Sequence, residues 1–258
     1  MSGLSRESIE DLRSPLARVV EVHDAVASTQ KRARELARAG TPHGTLVVAG
    51  IQTGGRGRLG RHWRSPAGGL WMSCVLRSGF GASLASRITQ TAAVGIAKGL
   101  REIGVKARIK WPNDLLAGGK KICGILAESS VGQGGRLDYV ILGVGMNANL
   151  DPSDLGVSDR EVTTIRSELG HDVDLLRLLG SLLSNLQFEL GRIEDFGAIL
   201  EEWRNLNCTL GETVRVLRFG DTVEGRAVDL TREGALLLAT GEATVEVFEG
   251  EIEHLKQG

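Results

Sequence analysis

Cysteine is scarce, at only three positions (Cys74, Cys123, Cys208) in a chain of 258 residues. Their odd number and wide spacing give neither a disulfide framework nor a zinc-binding pair, which fits a reducing compartment. An excess of one charge is lacking too: 31 Lys and Arg stand against 32 Asp and Glu, a formal net charge of -1. No global field therefore draws in nucleic acid or an anionic membrane. No stretch reaches the roughly 18 uninterrupted apolar residues of a membrane span. The N-terminal MSGLSRESIEDLRSPLARVV lacks the basic stub and apolar centre of a secretory signal. A cytoplasmic, water-soluble protein is the expectation. Internal repeats and long low-complexity tracts are missing, as are HExxH, the GxSxG nucleophile elbow and the Walker phosphate loop. The five histidines (His23, His43, His62, His171, His254) share no metal-ligand spacing, so no metal site is expected in the chain itself.

What is present is ample apolar content, 41%, enough for one large domain and a small one. Helices are expected over Ile9–Leu16, Gln30–Ala39 behind a Ser28 cap, Leu84–Ile103, Glu161–Leu169, Val173–Leu190 and Glu194–Leu206. Strands are expected at ARVVEV, TLVVAGI, GLWMSCVLR, ARIKW, KKICGILAES and LDYVILGVGMNAN, the last two joined through the hairpin-like VGQGG. Successive strands without intervening helices argue for an α+β fold whose mixed, mainly antiparallel sheet packs against helices. After Asn207 the character changes to VRVLRFG, TVEGRAVDL, ALLLAT and ATVEVF with glycine at nearly every junction, which reads as a small barrel. Two domains are expected, 1–207 and 208–258.

The most distinctive segment is QTGGRGRLGRHW, from Gln52 to Trp63, where Arg56, Arg58 and Arg61 stand among four glycines without a carboxylate. Glycine brings backbone N–H groups close to a ligand and Arg supplies a planar fork of donors, so the segment is suited to an anion. The embedded GxGxxG is a weak dinucleotide signal, because RHWRSPAGG follows it where a helix is needed. A second constellation, KWPNDLLAGGKKICGI, sets Lys110, Lys120 and Lys121 around a turn carrying Asn113 and Asp114. Strict alternation from Lys121 predicts Lys121, Cys123 and Ile125 on one face and Ile122, Gly124 and Leu126 on the other, with Gly124 leaving room for a ligand. A surface hairpin with solvated lysines is the plain alternative. In GVGMNANL, Asn147 and Asn149 bring amides to a strand end, as ligand contacts or as turn formers. In AVASTQKR, Ser28 and Thr29 offer hydroxyls at a helix start, with capping as the plain alternative for Ser28.

Taken in order, STQ, QTGGRGRLGRHW, KWPNDLL, GKKICGILAE and GVGMNAN resemble the catalytic domain of the biotin protein ligases over about residues 22 to 150. The tail resembles that family's SH3-like C-terminal domain more loosely. The resemblance implies a class II synthetase-like catalytic domain that joins biotin to ATP as biotinyl-5'-AMP, with Mg²⁺ on the phosphates. Transfer to a lysine of a biotin carboxyl carrier protein follows. Carried over by residue, it implies that Ser28, Thr29, Gln30, Gln52, Arg56, Gly57, Arg58 and Lys121 meet biotin. It implies that Arg58, Arg61, Trp63, Asn113, Lys121 and Asn147 meet the nucleotide, with Lys121 and Arg58 in catalytic roles. Family members commonly have Asn where this chain has Gln30. Members that repress transcription carry a winged-helix domain before the ST motif; only 27 residues precede Ser28 here, so specific DNA binding is not expected. Edge strands offer a route to a homodimer. The rival readings are a lipoate or octanoate transferase and a biotin-binding regulator without turnover.

Overall fold

The computed structural model describes residues 4–77, 85–132, 136–156, 161–218, 221–241 and 243–255. Helix α1 (Arg6–Glu10), strand β1 (Val19–Val26), helix α2 (Thr29–Arg38) and strand β2 (Thr45–Gln52) come first. They are followed by β3 (Leu70–Leu76), α3 (Ala85–Glu102), β4 (Arg108–Lys110), β5 (Asp114–Ala117), β6 (Lys120–Val131) and β7 (Leu137–Met146). These strands form one sheet in the order β1-β2-β3-β7-β6-β5-β4. Only β1 and β2 run parallel; every other neighbouring pair is antiparallel.

Both faces of the sheet's centre are covered, which explains why TLVVAGI and LWMSCVL are near-continuous apolar runs. From β2, Leu46 and Val48 face a core shared with α3 and with α5 (Leu175–Gly191) and α6 (Phe196–Leu206), while Val47 faces Ala33 and Ala37 of α2. Helices α3 and α5 approach closely because two glycines lie at the crossing. A Cβ on Gly95 would stand 3.1 Å from the Asn185 carbonyl oxygen, and one on Gly99 3.1 Å from Leu182.

A buried ionic cluster ties α3, α5 and α6 together. Glu189, fully buried, lies 2.6 Å from Lys98 Nζ and 2.7 Å from Arg192 Nη2, and both cations also pair with Glu202. Glu189→Ala leaves two half-buried cations sharing a single carboxylate. Because Glu202 remains, the expected loss is about 2 kcal/mol, below the range for an entirely orphaned buried charge. A lowered urea midpoint checks this, and an unchanged midpoint contradicts it.

Beyond α4 (Ile165–Leu169) and α6, the chain forms β8 (Thr213–Arg218), β9 (Asp221–Leu230), β10 (Leu236–Ala239), β11 (Thr244–Val247) and β12 (Glu251–His254). These make a second, antiparallel sheet in the order β11-β10-β9-β8-β12. Its inward residues Val214, Val216, Leu236 and Leu238 join the same apolar core as the large sheet. Polar contacts seal the seam: the Trp111 backbone N–H donates to Thr209 Oγ1 at 3.0 Å, Trp111 Nε1 donates to the Gly234 carbonyl at 3.2 Å, and Arg204 Nε lies 2.9 Å from Asp229.

Four local expectations are corrected. The Pro-bounded turn after Trp111 leads into a strand, β5, because DLLA finds a hydrogen-bonding partner in β6. The expected helix from Glu161 begins only at Ile165: Val162 instead bridges Lys121, and the Thr164 side chain caps the helix. Strict alternation in β6 fails because Leu115 faces Cys123 while Leu116 faces Lys121, which leaves Ile122 as an extra residue. That bulge turns Lys121 onto the same face as Gly124, where a Cβ would lie 3.6 Å from Lys121 Cε. The first helix, expected over Ile9–Leu16, is instead Arg6–Glu10, shorter and shifted toward the N-terminus behind a Ser5 cap. Most of VGQGG lies outside the described residues, although the two strands it joins pair antiparallel as a hairpin requires.

Candidate active site

The Gly/Arg segment leaves β2 as a distorted hairpin folded over the sheet. Gln52 bridges Ser65, Arg56 bridges His62, and the Trp63 N–H donates to the Gly55 carbonyl at 2.9 Å. The tip is a single 3₁₀ turn, Arg58–Gly60, in which Leu59 takes a left-handed φ of 55°. Gly55 is required by close packing: a Cβ there would meet the Trp63 carbonyl oxygen at 2.4 Å and Ser65 Oγ at 2.8 Å.

Beneath the hairpin is a cavity of about 420 Å³. The twelve residues that the resemblance assigns to biotin or the nucleotide line it, Ser28, Thr29, Gln30, Gln52, Arg56, Gly57, Arg58, Arg61, Trp63, Asn113, Lys121 and Asn147, whereas Lys120 and Asn149 do not. Its floor has almost no side chains, because Gly124 of β6 pairs with Gly145 of β7 and Gly143 lies two residues further along. The indole of Trp63 lies on this floor. A Cβ on Gly145 would stand 2.5 Å from Trp63 Nε1 and one on Gly124 3.1 Å from Trp63 Cζ3.

At one end of the cavity Ser28, Thr29 and Gln30 start α2, and all three are buried. The Thr29 N–H donates to Gln52 Oε1 at 2.8 Å, and Gln52 Nε2 donates to Ser65 Oγ at 2.8 Å. Thr29 Oγ1 lies 2.9 Å from Ser73 Oγ, which donates to Gln30 Oε1 at 3.0 Å. Gln30 Nε2 donates to Glu128 Oε2 at 2.8 Å. Ser73 and Glu128 were missed from sequence; a lone hydroxyl inside the apolar run LWMSCVL was the available signal for Ser73. Nothing in the sequence links Glu128 to Gln30, 98 residues away.

The other end carries the charge. Lys121 Nζ lies 2.7 Å from Asp114 Oδ1 and 5.0 Å from the centre of the Trp63 ring. Arg58 Nη1 donates to Asn113 Oδ1 at 3.4 Å, and Asn113 Nδ2 donates to the Ile125 carbonyl at 2.8 Å, which fixes the turn after the cis Trp111–Pro112 bond. Burial draws the Arg58 guanidinium below its usual pKa, opposed by the pull of Glu249 and Asp114. Arg61 pairs with Glu251 of the small sheet, so its guanidinium is occupied by a carboxylate that sequence reasoning did not foresee. Asn147 is almost fully buried: Nδ2 donates to the Thr163 carbonyl at 3.1 Å, while Oδ1 has no hydrogen-bond partner among the described residues. Asn149 is different in kind, since its amide clips both backbone groups of Val173, donating at 2.7 Å and accepting at 2.9 Å, a structural role.

A partly open cavity lined by hydrogen-bonding groups from the start of α2 and by two cations beneath the hairpin is suited to an elongated acid meeting a nucleotide. Comparisons with known proteins agree. Residues 22–147 match the biotin/lipoate A/B protein ligase family and residues 209–255 the biotin protein ligase C-terminal domain. The chain is 38% identical to the bifunctional ligase/repressor BirA of Bacillus subtilis over 239 residues, covering 90% of this chain and 72% of that one. It is 34% identical to the biotin–acetyl-CoA-carboxylase ligase of Mycobacterium tuberculosis, covering 90% and 89%. Among solved structures, the biotin protein ligase of Aquifex aeolicus in complex with biotin and ATP superposes with a TM-score of 0.78 at 30% identity, covering 93% of this chain and all of that one. The chain belongs to the biotin protein ligases, within the biotin/lipoate A/B protein ligase family.

Proposed function

We propose that this chain activates biotin with MgATP as biotinyl-5'-AMP and then transfers the biotinyl group to a lysine of a biotin carboxyl carrier protein. Residues 1–207 act as the catalytic unit and 208–258 as an SH3-like unit that braces it, and the reaction takes place in the cytoplasm. A carboxylate oxygen of biotin bonds to the α-phosphorus of ATP as the bond to the bridging oxygen of the β-phosphate breaks, and pyrophosphate leaves; Mg²⁺ bound to the phosphates would offset part of their charge. The lysine amine next attacks the acyl carbonyl, AMP leaves, and the amine proton passes to solvent. Neither half-reaction needs an enzyme nucleophile.

The single observation that carries this reading is the union of Lys121 and Arg58 at one end of the cavity with the Ser28–Thr29–Gln52 wall at the other. The wall takes the neutral ring of biotin. The cations meet its carboxylate and the α-phosphate, where negative charge gathers in the transition state. One preorganised donor at such a point is typically worth about 3 kcal/mol of barrier. The unpartnered Asn147 Oδ1 suits the exocyclic amine of adenine. Arg61 joins the phosphates once it parts from Glu251, and Arg56 and Gly57 close the hairpin over the ligand.

The experiment is pyrophosphate release on mixing the protein with biotin and MgATP, followed by mass spectrometry of a carrier domain. A biotinyl adduct supports the reading. A lipoyl adduct alone, or binding without pyrophosphate, overturns it. In the same assay Arg58→Gly is expected to slow adenylation and also to release the adenylate that does form, so that bystander lysines are labelled beside the carrier lysine. Unchanged selectivity removes Arg58 from the closing role.

A further inference from the structure

The hydrogen bonds at the wall of the cavity fix which of its atoms have protons to give. Gln30 Nε2 donates to Glu128 Oε2 at 2.8 Å and to the Ile141 carbonyl at 3.2 Å. Both partners only accept, so the Gln30 amide has one orientation and Oε1 faces Ser73. A flipped amide would set its carbonyl oxygen against a carboxylate. Arg34 holds the same Glu128 oxygen from outside. Gly143 lets the amide lie directly on the strand, since a Cβ there would be 2.4 Å from Gln30 Oε1.

The consequence passes along the wall. Ser73 Oγ, 3.0 Å from Gln30 Oε1, must give its only proton to it. Thr29 Oγ1 lies 2.9 Å from Ser73 Oγ and 3.1 Å from Gln52 Oε1, neither of which has a proton for it, so Thr29 donates to one of them. Both hydroxyls therefore have only lone pairs left for a ligand. Gln52 Nε2, whose first proton goes to Ser65 Oγ at 2.8 Å, keeps a second N–H.

We propose that Glu128 and Gln30 are a positioning pair that makes the Thr29–Ser73 wall a hydrogen-bond acceptor, and so selects a ligand whose ring N–H groups point at it. Acceptors beside one amide donor complement a cyclic urea, whose N–H groups flank a carbonyl. The inference rests on the reading of this cavity as the biotin site, and deepens it: Glu128 touches no substrate, yet sets which face of the urea is read. Without Glu128 the Gln30 amide keeps only its longer contacts, to the Ile141 carbonyl at 3.2 Å and the Leu126 carbonyl at 3.4 Å, so its orientation and that of both hydroxyls loosen and discrimination falls.

Calorimetry on the full-length protein tests this with biotin, an analogue methylated on its ureido nitrogens, and MgATP. Glu128→Ala is expected to raise the biotin Kd roughly tenfold, the cost of a lost oriented hydrogen bond, while the MgATP Kd changes less than about twofold. Preference for biotin over the methylated analogue narrows several-fold. Glu128→Gln, whose carbonyl oxygen takes the same Gln30 N–H, stays within about threefold of wild type. Gln30→Met, which fills the space without an amide, narrows the preference as Glu128→Ala does and serves if that variant folds poorly. A merely structural role would weaken biotin and analogue equally, so an unchanged preference ratio overturns the proposal, as does a Glu128→Gln variant as impaired as Glu128→Ala. Wild-type protein that binds no biotin overturns the functional reading and this inference together; normal wild-type binding with an unchanged ratio overturns the inference alone.

Discussion

Lys121→Ala slows adenylate formation by about 10²–10³-fold and changes biotin affinity by less than about threefold, because the lysine serves the charge that develops at the α-phosphate rather than the bound ring. Its ammonium is held 2.7 Å from Asp114 and 5.0 Å from the Trp63 ring centre, and it makes no hydrogen bond to the Thr29–Ser73 wall among the described residues. The bulge at Ile122 puts it there; without the extra residue the side chain would face the core. Single-turnover pyrophosphate release and calorimetry with biotin separate the two effects. Equal losses in both would make Lys121 a binding contact only.

Gly145→Val is the second large effect. The residue has an ordinary strand conformation, which valine favours, so the fold is expected to lose little. Its new Cβ would stand 2.5 Å from Trp63 Nε1, so the half-buried indole has to shift, and the branched methyls would fill the glycine strip proposed to take the substrates. Binding of biotin and MgATP is expected to fall at least about 100-fold with the urea midpoint nearly unchanged, as a filled pocket rejects its ligand by steric overlap. Normal turnover in this variant would show that the glycine floor is not where substrates rest.

The large elements were legible because their patterns are local. The strand TLVVAGI, the cap at Ser28 and the run of small strands after Asn207 each announce themselves within a few residues. All twelve candidate residues meet at one cavity because the motifs follow strand exits that one sheet brings together. The misses share a different cause. The β6 bulge depends on how Leu115 and Leu116 pair with a neighbour, which no alternation in β6 alone reveals. The pairing of Arg61 with Glu251 spans 190 residues, and that of Gln30 with Glu128 spans 98. Asn149 shows the opposite limit: its sequence setting matches that of Asn147, but its amide is spent on Val173.

The indole of Trp111 spans the seam between the two sheets, and this governs which chimeras can work. It donates to the Gly234 carbonyl, its backbone N–H reaches Thr209, and two residues later Asn113 meets Arg58. A tail grafted from another ligase must therefore supply a hydroxyl and a carbonyl at those two points. A transplant that folds perfectly but lacks them would leave the proline turn unmoored, and the defect would surface in nucleotide handling, far from the splice.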